Sequence, residues 1–167
     1  MMLACLVVLA AGAAAPAAGA GETAAFCTGT QLQATFDVVR GSAGAGNIVY
    51  ELRITNRSAR ACAVTGLPAV RLLGKRGRPL PTHVRAAFPG ALTAILLMLT
   101  PGQSARASAR FSPDVPGVGE PTAGRRCEPV AYRLRVLARG GGSTLAAIRP
   151  PTSVCEHGTL QFRAYGR

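Results

Sequence analysis

Gln31-Leu32-Gln33-Ala34-Thr35-Phe36-Asp37-Val38 alternates polar and apolar side chains without a break. Successive side chains of a strand point to opposite faces, so this stretch predicts a half-buried β-strand with Leu32, Ala34, Phe36 and Val38 inward. The same period of two recurs on both sides of a Gly/Ala/Ser-rich loop over residues 40–46. Tyr50-Glu51-Leu52-Arg53-Ile54-Thr55 is a second strand, and Ala69–Leu73 a third. Ser104–Phe111 alternates again, with Ala105, Ala107, Ala109 and Phe111 on one face and Ser104, Arg106, Ser108 and Arg110 on the other.

Further along, Val130, Tyr132, Leu134 and Val136 alternate with Arg133 and Arg135. The turn Arg139-Gly140-Gly141-Gly142-Ser143 leads to a returning strand over 144–148, and Leu160, Phe162 and Ala164 mark a last one. The apolar run 92–99 is short and ends at the Pro101-Gly102 turn, which favours strand over helix. Residues 74–89, with three prolines, read as an irregular basic stretch. Eight short strands separated by turns, with no helical periodicity, predict an all-β domain. The expected architecture is an antiparallel β-sandwich of immunoglobulin-like type, with a closed barrel as the alternative that pattern alone leaves open.

The chain has 167 residues, enough for one ordinary domain and a short extension. Apolar residues make up 49% of it, which excludes a wholly disordered chain, but aromatics are only 5%, so the core is rich in small side chains. Net charge is +12, and 18 of the 19 cations are arginine, Lys75 being the exception. Together with the Ala and Gly load, that ratio reads as GC-rich coding. The functional alternative is a surface that seeks anionic partners. Arg53, Arg106, Arg110, Arg133 and Arg135 fall on outward strand positions, spread along the chain, where they keep sheet faces soluble. This confines the candidate anion-binding site to the loop residues Lys75, Arg76, Arg78 and Arg85, with Arg125 and Arg126 as further candidates.

Residues 1–20, MMLACLVVLAAGAAAPAAGA, hold no charged side chain and a short apolar run followed by an Ala/Gly/Pro tail. They read as a secretory signal peptide cleaved after Ala18-Gly19-Ala20, leaving a single domain over 21–167. The strongly apolar part is about half of the roughly 20 residues that a membrane-spanning helix needs, so no span is expected in the mature chain. Cys5 loosely fits a lipid-attachment motif, but the apolar run that follows it argues against one. Cleavage removes Cys5 and leaves Cys27, Cys62, Cys127 and Cys155. Four cysteines in an exported domain predict two disulfides with three candidate connectivities, and their wide spacing disfavours zinc. Nearest-neighbour pairing would close loops worth about 3 to 4 kcal/mol each.

Several blocks resemble one known family, the small exported proteins of high-GC Gram-positive bacteria grouped as domain of unknown function 4232. These are Cys27 ahead of Leu32; Asn56-Arg57-Ser58 followed by Cys62, Gly66 and Pro68; Leu99-Thr100-Pro101-Gly102-Gln103-Ser104-Ala105; and Cys127 and Cys155 with Gly158 and Leu160 after the last. The resemblance implies an exported, two-disulfide domain of β-sandwich type. It carries over no catalytic or ligand-binding residue.

The residues themselves point away from catalysis. His83 and His157 are the only histidines, Asp37 and Asp114 the only aspartates, and no nucleophile elbow or phosphate-cradling loop occurs. Glu156 beside His157 reads as a polar loop. A copper site from His83, Met98 and His157 is disfavoured because Met98 lies in an apolar run. Phe36, Tyr50, Tyr132 and Phe162 fall on apolar faces, which removes the aromatics that would stack on nucleic acid bases. Asn56-Arg57-Ser58 is formally a glycosylation sequon but reads as the turn before Cys62. The expectation is an exported, non-enzymatic envelope domain that binds a partner, with no cofactor, metal or nucleic acid. The alternatives are an electrostatic binder of anionic wall polymer or lipid headgroups, and last an envelope enzyme.

Overall fold

The computed structural model of the protein describes residues 25–91, 95–122 and 126–167. The expected leader over 1–20 with Cys5, residues 92–94 of the apolar run, and Arg125 lie outside them. Among the described residues the chain forms β1 (Leu32–Val38), β2 (Ile48–Asn56), β3 (Cys62–Val64), β4 (Ala69–Leu73), β5 (His83–Ala86), β6 (Leu97–Leu99), β7 (Ser104–Phe111), β8 (Ala131–Leu137), β9 (Ser143–Thr152) and β10 (Thr159–Phe162). None of the helices in this set is long and apolar enough to cross a membrane.

Eight strands share one sheet in the order β4-β8-β9-β1-β2-β7-β10-β5, and β3 pairs with β6 in a small second sheet. The uniformly antiparallel pairing expected from the sequence is corrected in two places. β9 pairs with β8 from Ser143 to Ala147 and again at Thr152, and between these it runs parallel to β1, with Phe36 opposite Ile148. β5 runs parallel to β10, with Leu160 opposite Val84. Parallel neighbours need long connections rather than hairpins, which local alternation does not report.

The two ends of the large sheet also approach each other. After β4 the chain turns tightly, Leu73 bridges Pro79, and the Leu80 amide donates to the Leu72 carbonyl at 2.9 Å. The same segment continues into β5. The sheet is therefore mixed and nearly barrel-like.

Its interior follows from the alternation. Phe36, Tyr50, Leu52, Ile54, Leu134, Ile148, Leu160 and Phe162 are fully buried, and Ala105, Ala107 and Ala109 of β7 leave room for the rings opposite. Phe36 and Phe111 each lie 5.2 Å from Tyr50, centroid to centroid, in tilted contacts. The Tyr50 hydroxyl donates to the Pro150 carbonyl at 2.8 Å, so the ring is buried without stranding its polar tip. Burial raises the pKa of Tyr50.

Tyr132 departs from the expected phase. A bulge between Ala131 and Arg133 puts Ala131 inward and leaves Tyr132 at the surface.

Two of the family-like blocks converge in space. Asn56 is fully buried, and its amide donates to the carbonyls of Arg60 at 2.7 Å and Leu99 at 2.9 Å. Its side-chain oxygen accepts from the Ser58 amide and hydroxyl, at 2.9 and 2.7 Å. The Gly102 amide donates to the Asn56 carbonyl at 2.8 Å. Asn56-Arg57-Ser58 is thus the knot that ties the end of β2 to the turn after β6.

Candidate functional site

Two regions gather ionisable side chains. The first is built by β4, β8 and the turn between β4 and β5. Their antiparallel register sets Arg71 directly opposite Arg135 and Leu73 opposite Arg133. Arg71, Arg133 and Arg135 are exposed, while Leu72, Leu134 and Val136 between them face the core. The chain leaves β4 at Leu73, beside Arg133, and the turn that follows carries Lys75, Arg76 and Arg78, all exposed. Among the described residues no carboxylate lies within ion-pair distance of these six cations; Arg53 and Arg106, by contrast, share Glu51 at 3.5 Å. Like charges opposite each other on a sheet are destabilising, so Arg71 and Arg135 are held together at a cost.

The expectation that strand arginines are dispersed is corrected here. Arg71 and Arg135 are 64 positions apart (135 less 71), and only the pairing of β4 with β8 makes them neighbours. Arg85 stands on β5 opposite Gln161, whose other neighbour is Arg110, in a separate row from the turn. Arg126 is exposed beside Cys127.

The second region surrounds the disulfide between Cys127 and Cys155. Both bridges, this one and Cys27 to Cys62, follow the nearest-neighbour pairing. Just after Cys155, Glu156 and His157 both adopt left-handed backbone, with φ of 55° and 56°. This conformation is costly for residues with a Cβ. Glu120 offsets it from a distant loop. Its buried carboxylate accepts the amides of Gly117 at 2.6 Å and Glu156 at 2.9 Å through one oxygen, and that of His157 through the other. The next residue, Gly158, must be glycine: its φ is +75°, and a Cβ there would collide with the Pro81 carbonyl oxygen.

This turn presents the His157 ring to two carboxylates. Nδ1 lies 3.7 Å from Glu120 Oε1 and 3.9 Å from Glu128 Oε1, and Nε2 is 3.0 Å from the Val118 carbonyl oxygen. The environment pushes the two acids in opposite directions. Burial opposes the charge of Glu120, but the three backbone amides and the nearby imidazole outweigh it and hold its pKa below the usual carboxylate value. Glu128 is raised, by burial first and then by the charge of Glu120, with His157 offsetting part of this.

His157 alone was a sequence candidate here, paired with Glu156. The partners it finds are Glu120 and Glu128, which no spacing rule links to it. His83 on β5 and Met98 on β6 pair with Thr159 and Ala63, and among the described residues the clusters able to share an ion omit His83.

An apolar cavity of about 360 Å³ opens against β3, β4 and β8, lined by Leu32, Ile54, Val64, Leu67 and Val136. Thr65, Arg139 and Tyr165 are polar side chains on its wall. Burial raises the pKa of Tyr165 strongly, so its hydroxyl stays protonated. The Arg139 guanidinium lies 4.4 Å from the centre of the Phe26 ring.

Among the described residues, ten strands, a nearly closed sheet and two disulfides define an all-β, disulfide-stapled domain, with an unbalanced basic strand face and a compact acid–histidine turn. The chain belongs to the family described as Domain of unknown function (DUF4232), whose model matches residues 27–165. No curated protein and no solved structure matches it.

Proposed function

We propose that the chain is an exported, non-enzymatic domain of the cell envelope that binds phosphate-bearing anionic polymer or lipid headgroups through the face formed by β4, β8 and the turn after β4. One observation carries the reading: Arg71 opposite Arg135, with Arg133, Lys75, Arg76 and Arg78 alongside and no carboxylate within ion-pair distance among the described residues. Cations kept together against their own repulsion lower the energy of an anion that joins them. Leu145, half exposed opposite Arg135, adds an apolar neighbour of the kind a lipid surface accepts. Export is supported by the two disulfides and by the uncharged, apolar residues 1–20, and origin in a high-GC bacterium by the near-exclusive use of arginine.

The test is sedimentation of the protein with anionic phospholipid vesicles and, separately, with soluble polyphosphate, at low and high salt. Binding to at least one should fall steeply as salt rises. Affinity that is the same at both salt concentrations, or no binding to either probe, would refute the reading.

A further inference from the structure

We propose that Glu120, Glu128 and His157 form a binding site for a divalent transition metal of the zinc class, with Nδ1 of His157 as the nitrogen ligand. The three donor atoms come from two segments, the loop carrying Glu120 and Glu128 and the turn after Cys155, and lie within 4.8 Å of one another. Donors bound at 2.0–2.2 Å to a tetrahedral zinc stand about 3.4 Å apart. The separations from Nδ1, 3.7 and 3.9 Å, exceed this by only a few tenths of an ångström.

The protonation pattern of the imidazole supplies an independent reason. Nε2 faces the Val118 carbonyl at 3.0 Å, and a carbonyl oxygen can only accept, so Nε2 carries the hydrogen. In the neutral ring the Nδ1 lone pair then points toward Glu120 and Glu128, and once both carboxyls are ionised three acceptors meet with no donor among them. A cation in that space satisfies all three. A ligating histidine whose other nitrogen donates to a backbone carbonyl is also the usual outer arrangement of zinc sites.

Glu120 meets the companion requirement. Its oxygens are oriented by backbone amides from Gly117, Glu156 and His157, so the carboxylate is fixed before any ion arrives. The imidazole nitrogen selects zinc-class ions over magnesium and calcium, which prefer sites made of oxygen alone. Half of the His157 side chain is exposed, which leaves an entry path and room for water as the remaining ligand. The neighbouring cysteines are both taken up in the disulfide and do not compete.

The experiment titrates Zn²⁺ into chelator-stripped, fully oxidised protein, following heat and melting temperature, with Mg²⁺ as the comparison ion. One Zn²⁺ per chain should bind and raise the melting temperature, and Mg²⁺ should do neither. His157→Gln and Glu128→Gln should each weaken Zn²⁺ binding by about tenfold or more. Glu128→Gln leaves the backbone bonds to Glu120 in place, so a folded protein with unchanged circular dichroism is expected. Replacing Arg71, Arg133 and Arg135 with serine should leave Zn²⁺ affinity as it was, which separates this site from the basic face. Absence of saturable Zn²⁺ binding, or affinity unchanged in both Gln variants, would overturn the proposal.

Discussion

The basic face and the acid–histidine turn solve opposite electrostatic problems. On β4 and β8, cations sit on regular strands, in water, with their own kind as neighbours. Around Cys155, the carboxylate of Glu120 is buried beside irregular backbone and is answered by three amides, and the His157 ring faces the Val118 carbonyl. Water screens the first group, so repulsion costs little and the charge stays available to a partner. Burial removes that freedom from the second group, where an unanswered charge would unfold the turn. Exposure therefore decides which charges can be left unbalanced, and the unbalanced ones are those free to act on another molecule.

Breaking the Cys127–Cys155 bridge tests this division most severely. Substituting both cysteines with alanine reopens a loop of 28 residues and should cost about 3.5 kcal/mol in urea unfolding at neutral pH. Binding to anionic vesicles should survive wherever the variant is folded, because the basic face lies on other strands. The mirror experiment replaces Arg71, Arg133 and Arg135 with serine. At about 1 kcal/mol per cation near an anionic surface, vesicle affinity should drop roughly a hundredfold while the denaturation midpoint holds or rises.

Glu120→Ala should come next, at about 1 to 3 kcal/mol, because it strands buried amides and releases the left-handed pair Glu156 and His157. The loss should be readable as faster hydrogen exchange at those two amides. A smaller effect of opposite sign is expected on the face. Arg135→Thr removes the charge opposite Arg71 and suits a strand, so it should stabilise the protein by about 0.2 to 1 kcal/mol at low salt, and less at high salt.

The two glutamates should also be separable by pH in the metal-free protein. A carboxyl lowered on folding stabilises above its unfolded pKa, and that gain is lost as pH falls through the folded value. Glu120 behaves so, and Glu120→Gln should flatten the acid limb of the stability curve. A raised carboxyl does the reverse: its gain is present below the unfolded pKa and is lost as pH rises through the folded one. Glu128→Gln should therefore remove a decline in stability toward neutral pH. Identical pH profiles for the two variants would contradict the opposite environments assigned to them.

How far the sequence revealed these regions depends on the range of the interactions involved. β1, β4 and β7 were legible because each buries one face, and alternation records burial locally. β3 and β5 escaped because three or four residues carry no period, and β5 is embedded among prolines and arginines. Tyr132 was assigned to the wrong face because one bulged residue reverses the phase. The four disulfide cysteines and the turn at Lys75, Arg76 and Arg78 were visible by residue type alone. The opposition of Arg71 and Arg135 was not, since it is a fact of register between strands far apart in the chain. Glu120 and Glu128 were hidden for the same reason, with the added difficulty that they come from a Pro/Gly-rich loop with no period at all.

The near-closure of the large sheet bears on recognition itself. The chain that links its two end strands folds back on β4 through Leu72, Leu73, Pro79 and Leu80 before it enters β5. Backbone groups of Leu72, Leu73 and Leu80 that would otherwise stand open for an incoming peptide are engaged there. A partner that extends a sheet by adding a strand finds those groups taken, and the same contact guards the protein at that point against zippering onto copies of itself.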